Sequence, residues 1–140
     1  MSQDTLEDSL HSFAIHLLRK VKTDDLIDGL SLTPARLSAL SVILFAGPVT
    51  VSDLAKAEQV SLPTMTKLVQ ALVSNNFVIK ARSKADGRQM WLSTTTKGKQ
   101  AVLEAKSRRL AKLHKLVENL SVEDYKDIEL ALPALLKLIQ

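Results

Sequence analysis

Residues 61–92, SLPTMTKLVQALVSNNFVIKARSKADGRQMWL, decide the fold because their hydrophobic period changes partway along. In the first half, apolar side chains recur every three or four positions, which predicts an amphipathic helix with Ser61 as its N-cap. Those apolar positions are Met65, Leu68, Val69, Leu72 and Val73. Residues 77–83 then alternate, residues 90–92 form a second extended run, and the Asp-Gly pair at 86–87 favours a hairpin turn between them. The stretch therefore predicts a helix followed by a β-hairpin.

Two further helices are predicted on the N-terminal side of this stretch. Thr33 and Pro34 are suited to the N-cap and first position of a helix that ends at the Gly-Pro pair at 47–48. A short helix from about residue 50 to about residue 58 follows, and a brief turn separates it from Ser61. Two helices joined by a short turn and followed by a hairpin predict a winged helix-turn-helix.

The two ends of the chain are also predicted to be helical. A helix from about residue 5 to about residue 21 has one apolar stripe. The threonines at 94–96 offer an N-cap for a long helix to about residue 119, with an apolar stripe that includes Leu103 and Leu110. Ser121 with Asp124 resembles a capping box for the last helix, which we expect Pro133 to break or kink.

Length and composition favour a single folded domain over residues 1–140. The chain is 46% apolar and 24% charged, which suits a packed core. Within the domain, we expect a DNA-binding lobe at about 32–100, flanked by helices at 1–30 and 101–140. The absence of cysteine excludes disulfides, thiolate nucleophiles and cysteine metal sites. We expect a mostly α protein with a small β-hairpin wing, located in the cytoplasm, with no membrane span, metal or cofactor.

Charge is unevenly distributed along the chain. The formal net charge is +4, but residues 31–100 have nine basic and three acidic side chains, whereas residues 1–30 have three basic and six acidic. A positive middle segment is typical of a surface that meets phosphate groups, although a chance asymmetry on a solvated surface would look the same.

The helix and the hairpin supply the candidate DNA-binding residues. An α-helix fits the major groove, where hydroxyl and amide side chains read base edges, and arginines on a hairpin suit a narrow minor groove. The candidates in the helix are Ser61, Pro63, Thr64, Thr66, Lys67 and Gln70. The candidates in the wing are Lys80, Arg82, Lys84, Asp86 and Arg88.

These residues resemble the DNA-binding lobe of the MarR family of transcriptional regulators. The matching segments are LTPAR at 32–36, VSDLA at 51–55, SLPTMTKLV at 61–69, DGR at 86–88 and TTKG at 95–98. The resemblance implies a homodimer on a pseudo-palindromic operator, with Arg88 in the minor groove and Asp86 orienting it. One departure is Thr94, which stands where the family commonly has a bulky apolar residue.

The apolar stripes at the two ends favour a dimer independently of the resemblance. Together they exceed what a compact winged-helix lobe needs, although packing within one chain is the competing explanation. The candidate interface residues are Leu6, Leu10, Phe13, Leu17, Val117, Leu132, Leu135, Leu136 and Ile139.

The resemblance also implies an effector, a small anionic or phenolic compound bound between the dimer helices and the DNA-binding lobe. Arg36, His16 and His114 are candidate partners for an anion, but we expect them to be structural. We also expect Met65 and Met90 to be core residues.

Three other functions compete with specific DNA binding. An enzyme is disfavoured because the chain has no glycine-rich phosphate loop and no nucleophile–base arrangement. The basic wing disfavours a winged-helix module that binds only proteins. Base-reading side chains at Thr64, Thr66 and Gln70 disfavour a module that binds DNA without sequence preference.

Overall fold

The computed structural model describes residues 4–23, 26–27, 30–83, 85 and 87–140. Within them the helices are α1 (Leu6–Val21), α2 (Pro34–Ala46), α3 (Val51–Ala57), α4 (Leu62–Ser74), α5 (Thr96–Val117) and α6 (Val122–Leu136). The strands are β1 (Leu26–Ile27), β2 (Leu30–Ser31), β3 (Val49–Thr50), β4 (Val78–Arg82) and β5 (Met90–Thr94). The predicted class, mostly α with a small β-hairpin wing, is confirmed.

Contacts divide the chain into two compact units. One comprises residues 23–106, and the other comprises residues 1–22 together with 107–140. The prediction placed one domain over the whole chain, with the lobe at about 32–100. Helix α5 contributes residues to both units.

Residues 23–106 are organised around a core from α2, α3, α4 and the sheet. Its largest fully buried side chains are Phe77, Leu32, Leu40, Ile43, Leu54, Met65, Leu72, Leu92 and Val69. The sheet is antiparallel with the order β3-β5-β4, and Val49 and Lys80 both pair with Leu92 from opposite sides. The core thus lies under α4 and under the wing that follows it.

Side-chain caps set the starts of the three helices that precede the wing. Thr33, Thr50 and Ser61 each accept a hydrogen bond from the backbone N–H three residues later, at 3.3, 3.1 and 3.3 Å respectively. These bonds satisfy N–H groups that a helix start would otherwise leave unpaired. The predicted starts of α2 and α4 are confirmed, and α3 runs within the predicted limits.

The start of α5 is packed through small residues. Its buried positions are Gly98, Ala101, Val102 and Ala105, whereas Leu103 and Leu110 on the predicted stripe are 46% and 53% exposed. The side of α5 that packs on the core is therefore not the predicted apolar stripe, which stays exposed in the single chain. Alanine and glycine allow the helix to approach the core closely, and hydropathy alone favours leucine.

The second unit contains α1, α6 and the C-terminal half of α5. Thr5 and Asp8 form a reciprocal capping box, and Ser121 accepts from the Asp124 N–H at 3.0 Å, as predicted. Hydrogen bonds from the backbone and from Thr5 lower the pKa of Glu7. The Lys112 ammonium donates to the Lys22 carbonyl and so joins α5 to the end of α1.

Three details of the fold differ from what the sequence predicts. Of the break or kink expected at Pro133, the break does not occur, because α6 continues to Leu136. Met90 is not a core residue: it is 36% exposed at the start of β5, opposite the exposed Arg82, whereas Leu92 lies between Val49 and Lys80 and is buried. The short strands β1, β2 and β3 were not predicted, since each has only two residues.

Candidate nucleic-acid interface

Helix α4 has one buried face and one exposed face. Met65, Val69 and Leu72 are buried in the core, and the partly buried Leu68 and Val73 pack against it. The exposed side chains on the opposite side are Pro63, Thr64, Lys67, Gln70 and Ser74. The helix therefore presents a polar surface with one cation, which is the surface the sequence predicts for reading DNA.

The hydroxyl groups of α4 are partly engaged within the helix. Ser61 Oγ donates to Thr64 Oγ1 at 2.8 Å, and Thr66 Oγ1 donates to the Leu62 carbonyl at 2.8 Å. Thr66 is also half-buried. Lys67 and Gln70 are consequently the longest exposed polar side chains on this surface.

The wing presents cations beside α4 in the same unit. Lys80 and Arg82 are exposed on β4, and Arg88 is exposed just before β5. The Ser83 N–H donates to the Gln89 carbonyl at 3.1 Å, which closes the base of the turn. The predicted residues Lys84 and Asp86 lie outside the described residues.

A cluster at the end of α4 fixes it to the start of α5. Thr95 Oγ1 donates to the Asn76 carbonyl at 2.6 Å and accepts from the Gly98 N–H at 3.0 Å. The Lys97 ammonium donates to the Asn75 carbonyl at 2.9 Å and lies 4.6 Å from the centroid of the Phe77 ring. The cluster ties the residues that follow α4 to the start of α5.

Gly98 completes this cluster by allowing a close approach. A Cβ at this position would lie 2.2 Å from the Phe77 carbonyl oxygen and 3.4 Å from Leu40 Cδ1. The threonines at 94–96 predict the cap, and TTKG at 95–98 is one of the segments that resemble the MarR family. A threonine three residues before Gly98 is the sequence feature that indicates a cap for α5. The close contact of Gly98 with Phe77 could not be predicted from the sequence.

Two concave sites lie in the same unit. The larger, about 460 Å³, is between the start of α3 and the residues leading into β5, and it includes Lys56, Arg88 and Trp91. The smaller, about 350 Å³, is beside the turn between α3 and α4 and includes Lys56, Val60 and Leu62.

The residues weighed as anion partners make local contacts. The Arg36 guanidinium donates to the Ser31 carbonyl at 2.7 Å, and His16 Nδ1 lies 2.7 Å from the Ser12 carbonyl oxygen. His114 Nε2 lies 3.7 Å from a carboxylate oxygen of Glu118, one turn later. These contacts match the structural roles expected for them.

Most of the candidate interface residues lie on α1 and α6; Val117 ends α5, and Ile139 follows α6. Neither α1 nor α6, both wholly within the described residues, has a buried side chain. Leu6, Phe13 and Ile139 are 73%, 56% and 81% exposed, whereas Leu10 and Leu17 are half-buried. The remaining candidates, between 36% and 48% exposed, are Val117, Leu132, Leu135 and Leu136.

Comparison with known proteins agrees with this geometry. Residues 32–90, which contain α2, α3, α4 and the wing, match the model of the MarR family. The winged-helix segment of the chain, residues 32–90, belongs to the MarR family. An HTH-type transcriptional regulator of Mycobacterium leprae is 34% identical over 96 residues, which is 67% of this chain and 65% of that relative. The chain thus spans less than two thirds of the length of this curated relative.

Solved MarR-type structures have the same fold as this chain. A cysteine-to-serine mutant of MarR from E. coli gives a TM-score of 0.79 at 23% identity, covering 97% of this chain and 99% of that one. A MepR mutant of S. aureus bound to an oligodeoxyribonucleotide gives a TM-score of 0.69 at 23% identity, covering 99% of this chain and 100% of that one.

The search for membrane-spanning helices, made over the described residues, finds none of sufficient length and hydropathy.

Proposed function

We propose that this chain is a cytoplasmic, homodimeric transcriptional repressor that binds a pseudo-palindromic operator in double-stranded DNA. The proposal gives the chain a binding role rather than a catalytic one. The observation that carries it is the exposed polar face of α4, with Lys67 and Gln70, beside a wing with exposed Lys80, Arg82 and Arg88. A polar helix face next to a basic hairpin suits a major groove and the minor groove beside it.

The residues have different roles in this proposal. Gln70 and Thr64 read base edges from α4, because amide and hydroxyl groups form directional hydrogen bonds with bases. Arg88 enters the minor groove, while Lys80 and Arg82 contact phosphates, which adds affinity without sequence preference. Removing Arg88 should therefore weaken binding to all duplexes, and removing Gln70 should change the preferred sequence.

The homodimer is supported by the apolar side chains that remain exposed on α1 and α6. Leu6, Leu130 and Ile139 are each more than 70% exposed in the single chain. Large apolar side chains exposed in such numbers favour association, and a two-fold axis would place two α4 helices about 34 Å apart on one face of DNA.

Release from DNA by a small anionic or phenolic effector is part of the same proposal. It is supported by membership of the family alone, because Arg36, His16 and His114 are all engaged in local contacts. The test is equilibrium dialysis of the purified protein against a panel of aromatic carboxylates, with and without operator. A compound that binds only the free protein supports effector release, whereas the absence of any binder in the panel argues against it.

The experiment that tests the main proposal is selection from a random-sequence duplex library at near-physiological salt. Enrichment of a pseudo-palindrome with half-sites about one helical turn apart supports specific dimeric recognition. Retention of DNA without enrichment indicates non-specific binding, and no retention indicates a module whose partner is a protein. Either of the last two results contradicts the proposal.

A further inference from the structure

The N-terminal tip of α4 exposes apolar side chains beside the hydroxyl groups of Ser61 and Thr64. Val60 and Leu62, on either side of the Ser61 cap, are 40% and 50% exposed, and Pro63 is exposed as well. The polar side chains Lys67 and Gln70 begin more than one turn later. The first turn of α4 therefore presents hydrocarbon next to the hydroxyl groups of Ser61 and Thr64.

Most of the nearby hydroxyl groups cannot donate a hydrogen bond to DNA, because they donate within the protein. The hydroxyl hydrogen of Ser61 is donated to Thr64, and that of Thr66 is donated to the Leu62 carbonyl, both at 2.8 Å. Two of the three hydroxyl donors in this part of the helix are thus used within the helix itself. Leu62 is the large side chain that remains exposed beside them.

Leu62 is also held in a defined position. It follows the N-cap, and Thr66 bonds to its carbonyl. Its side chain borders the concave site of about 350 Å³ beside the turn between α3 and α4, together with Val60 and Lys56. An apolar group next to a cation suits a base edge that lies close to a phosphate.

We propose that Leu62 reads a thymine in each operator half-site through contact with the 5-methyl group of the base. In the major groove, the 5-methyl group is the apolar feature that distinguishes thymine from the other unmodified bases. Contact with it removes both hydrocarbon surfaces from water and requires no hydrogen bond. The inference rests on the proposed function, because it assigns sequence preference within the same DNA-binding surface.

The test uses the operator duplex obtained by library selection, with each thymidine replaced in turn by deoxyuridine. This replacement removes one methyl group and leaves the base-pair hydrogen bonds intact. For the wild-type protein, affinity should fall about fourfold at one position in each half-site, the effect of removing one buried methyl group. For Leu62→Ala the same replacement should have no effect, since the contact is already lost.

Lys67→Ala is the matched control on the same helix. It should weaken binding to the thymidine and deoxyuridine duplexes alike and leave the fourfold ratio unchanged. Leu62 is half-exposed, and alanine is a strong helix former, so Leu62→Ala is expected to fold; far-ultraviolet circular dichroism checks this.

The possible failures are distinguishable. If an operator is selected but no deoxyuridine replacement weakens binding, or if the ratio survives in Leu62→Ala, the assignment of Leu62 is wrong while the proposed function stands. If no sequence is enriched, the proposed function fails and the assignment fails with it.

Discussion

Gly98→Ala tests most sharply the close approach of α5 to Phe77, which lies between α4 and β4. The added Cβ would lie 2.2 Å from the Phe77 carbonyl oxygen and 3.1 Å from its carbonyl carbon, so backbone atoms must move by about 1 Å to reach ordinary contact. Phe77 is fully buried, and its carbonyl accepts from the Thr95 N–H at 3.1 Å. The movement therefore disturbs both the core and the junction between α4 and α5.

The magnitude follows from opposing effects. Alanine is favoured over glycine inside a helix by about 1 kcal/mol, whereas overpacking costs about 1–3 kcal/mol and a lost hydrogen bond costs about 1 kcal/mol more. We expect a net destabilisation of about 2 kcal/mol, which corresponds to a melting temperature lower by roughly 5–10 °C in a chain of this size.

The assay is thermal and urea unfolding followed by circular dichroism, with Gly87→Ala as the control. Among the described residues, no atom lies within 4 Å of a Cβ at Gly87, so that variant should remain within about 0.5 kcal/mol of the wild type. If Gly98→Ala is as stable as the wild type, or if both variants lose the same stability, the reasoning about the close approach is refuted.

Three further predictions concern the backbone, the cap and the interface. Gln59→Gly should raise the free energy of unfolding by about 1 kcal/mol in urea titration, because Gln59 has a φ of 56°, where a side chain is strained; no gain would contradict this. Thr95→Val should lower it by about 1–2 kcal/mol, since two hydrogen bonds are lost, while Thr95→Ser should stay near the wild type. Phe13→Glu should give a monomeric mass by light scattering at micromolar concentration, whereas Ile79→Glu, at an equally exposed position on the wing, should leave a dimer. A dimer in Phe13→Glu, or a monomer in the wild type, would contradict the interface.

The sequence was most informative where a single helix or turn is determined locally. The period of Met65, Val69 and Leu72 predicted the buried face of α4, and the caps at Thr33 and Ser61 depend on residues only three positions apart. Such features are set by neighbours along the chain, and they were confirmed.

Features that depend on distant residues could not be predicted. Strand β3 exists because Val49 and Thr50 pair with Leu92 and Trp91, about forty residues away, and two residues have no periodicity of their own. The buried face of α5 is made by Ala101 and Ala105, which count little in a hydropathy pattern. The same limit applies to Leu62, whose exposure at the tip of α4 is a property of the packed lobe.

The central claim is specific binding of double-stranded DNA by α4 and the wing, and salt titration of affinity tests it most directly. The measurement compares the selected operator with a scrambled duplex of equal length between about 50 and 200 mM salt. We predict that both affinities fall steeply, by about 0.9 in log–log slope for each phosphate contacted, while the operator stays at least about 1,000-fold tighter. Equal affinities for the two duplexes, or affinities that do not change with salt, would contradict the account.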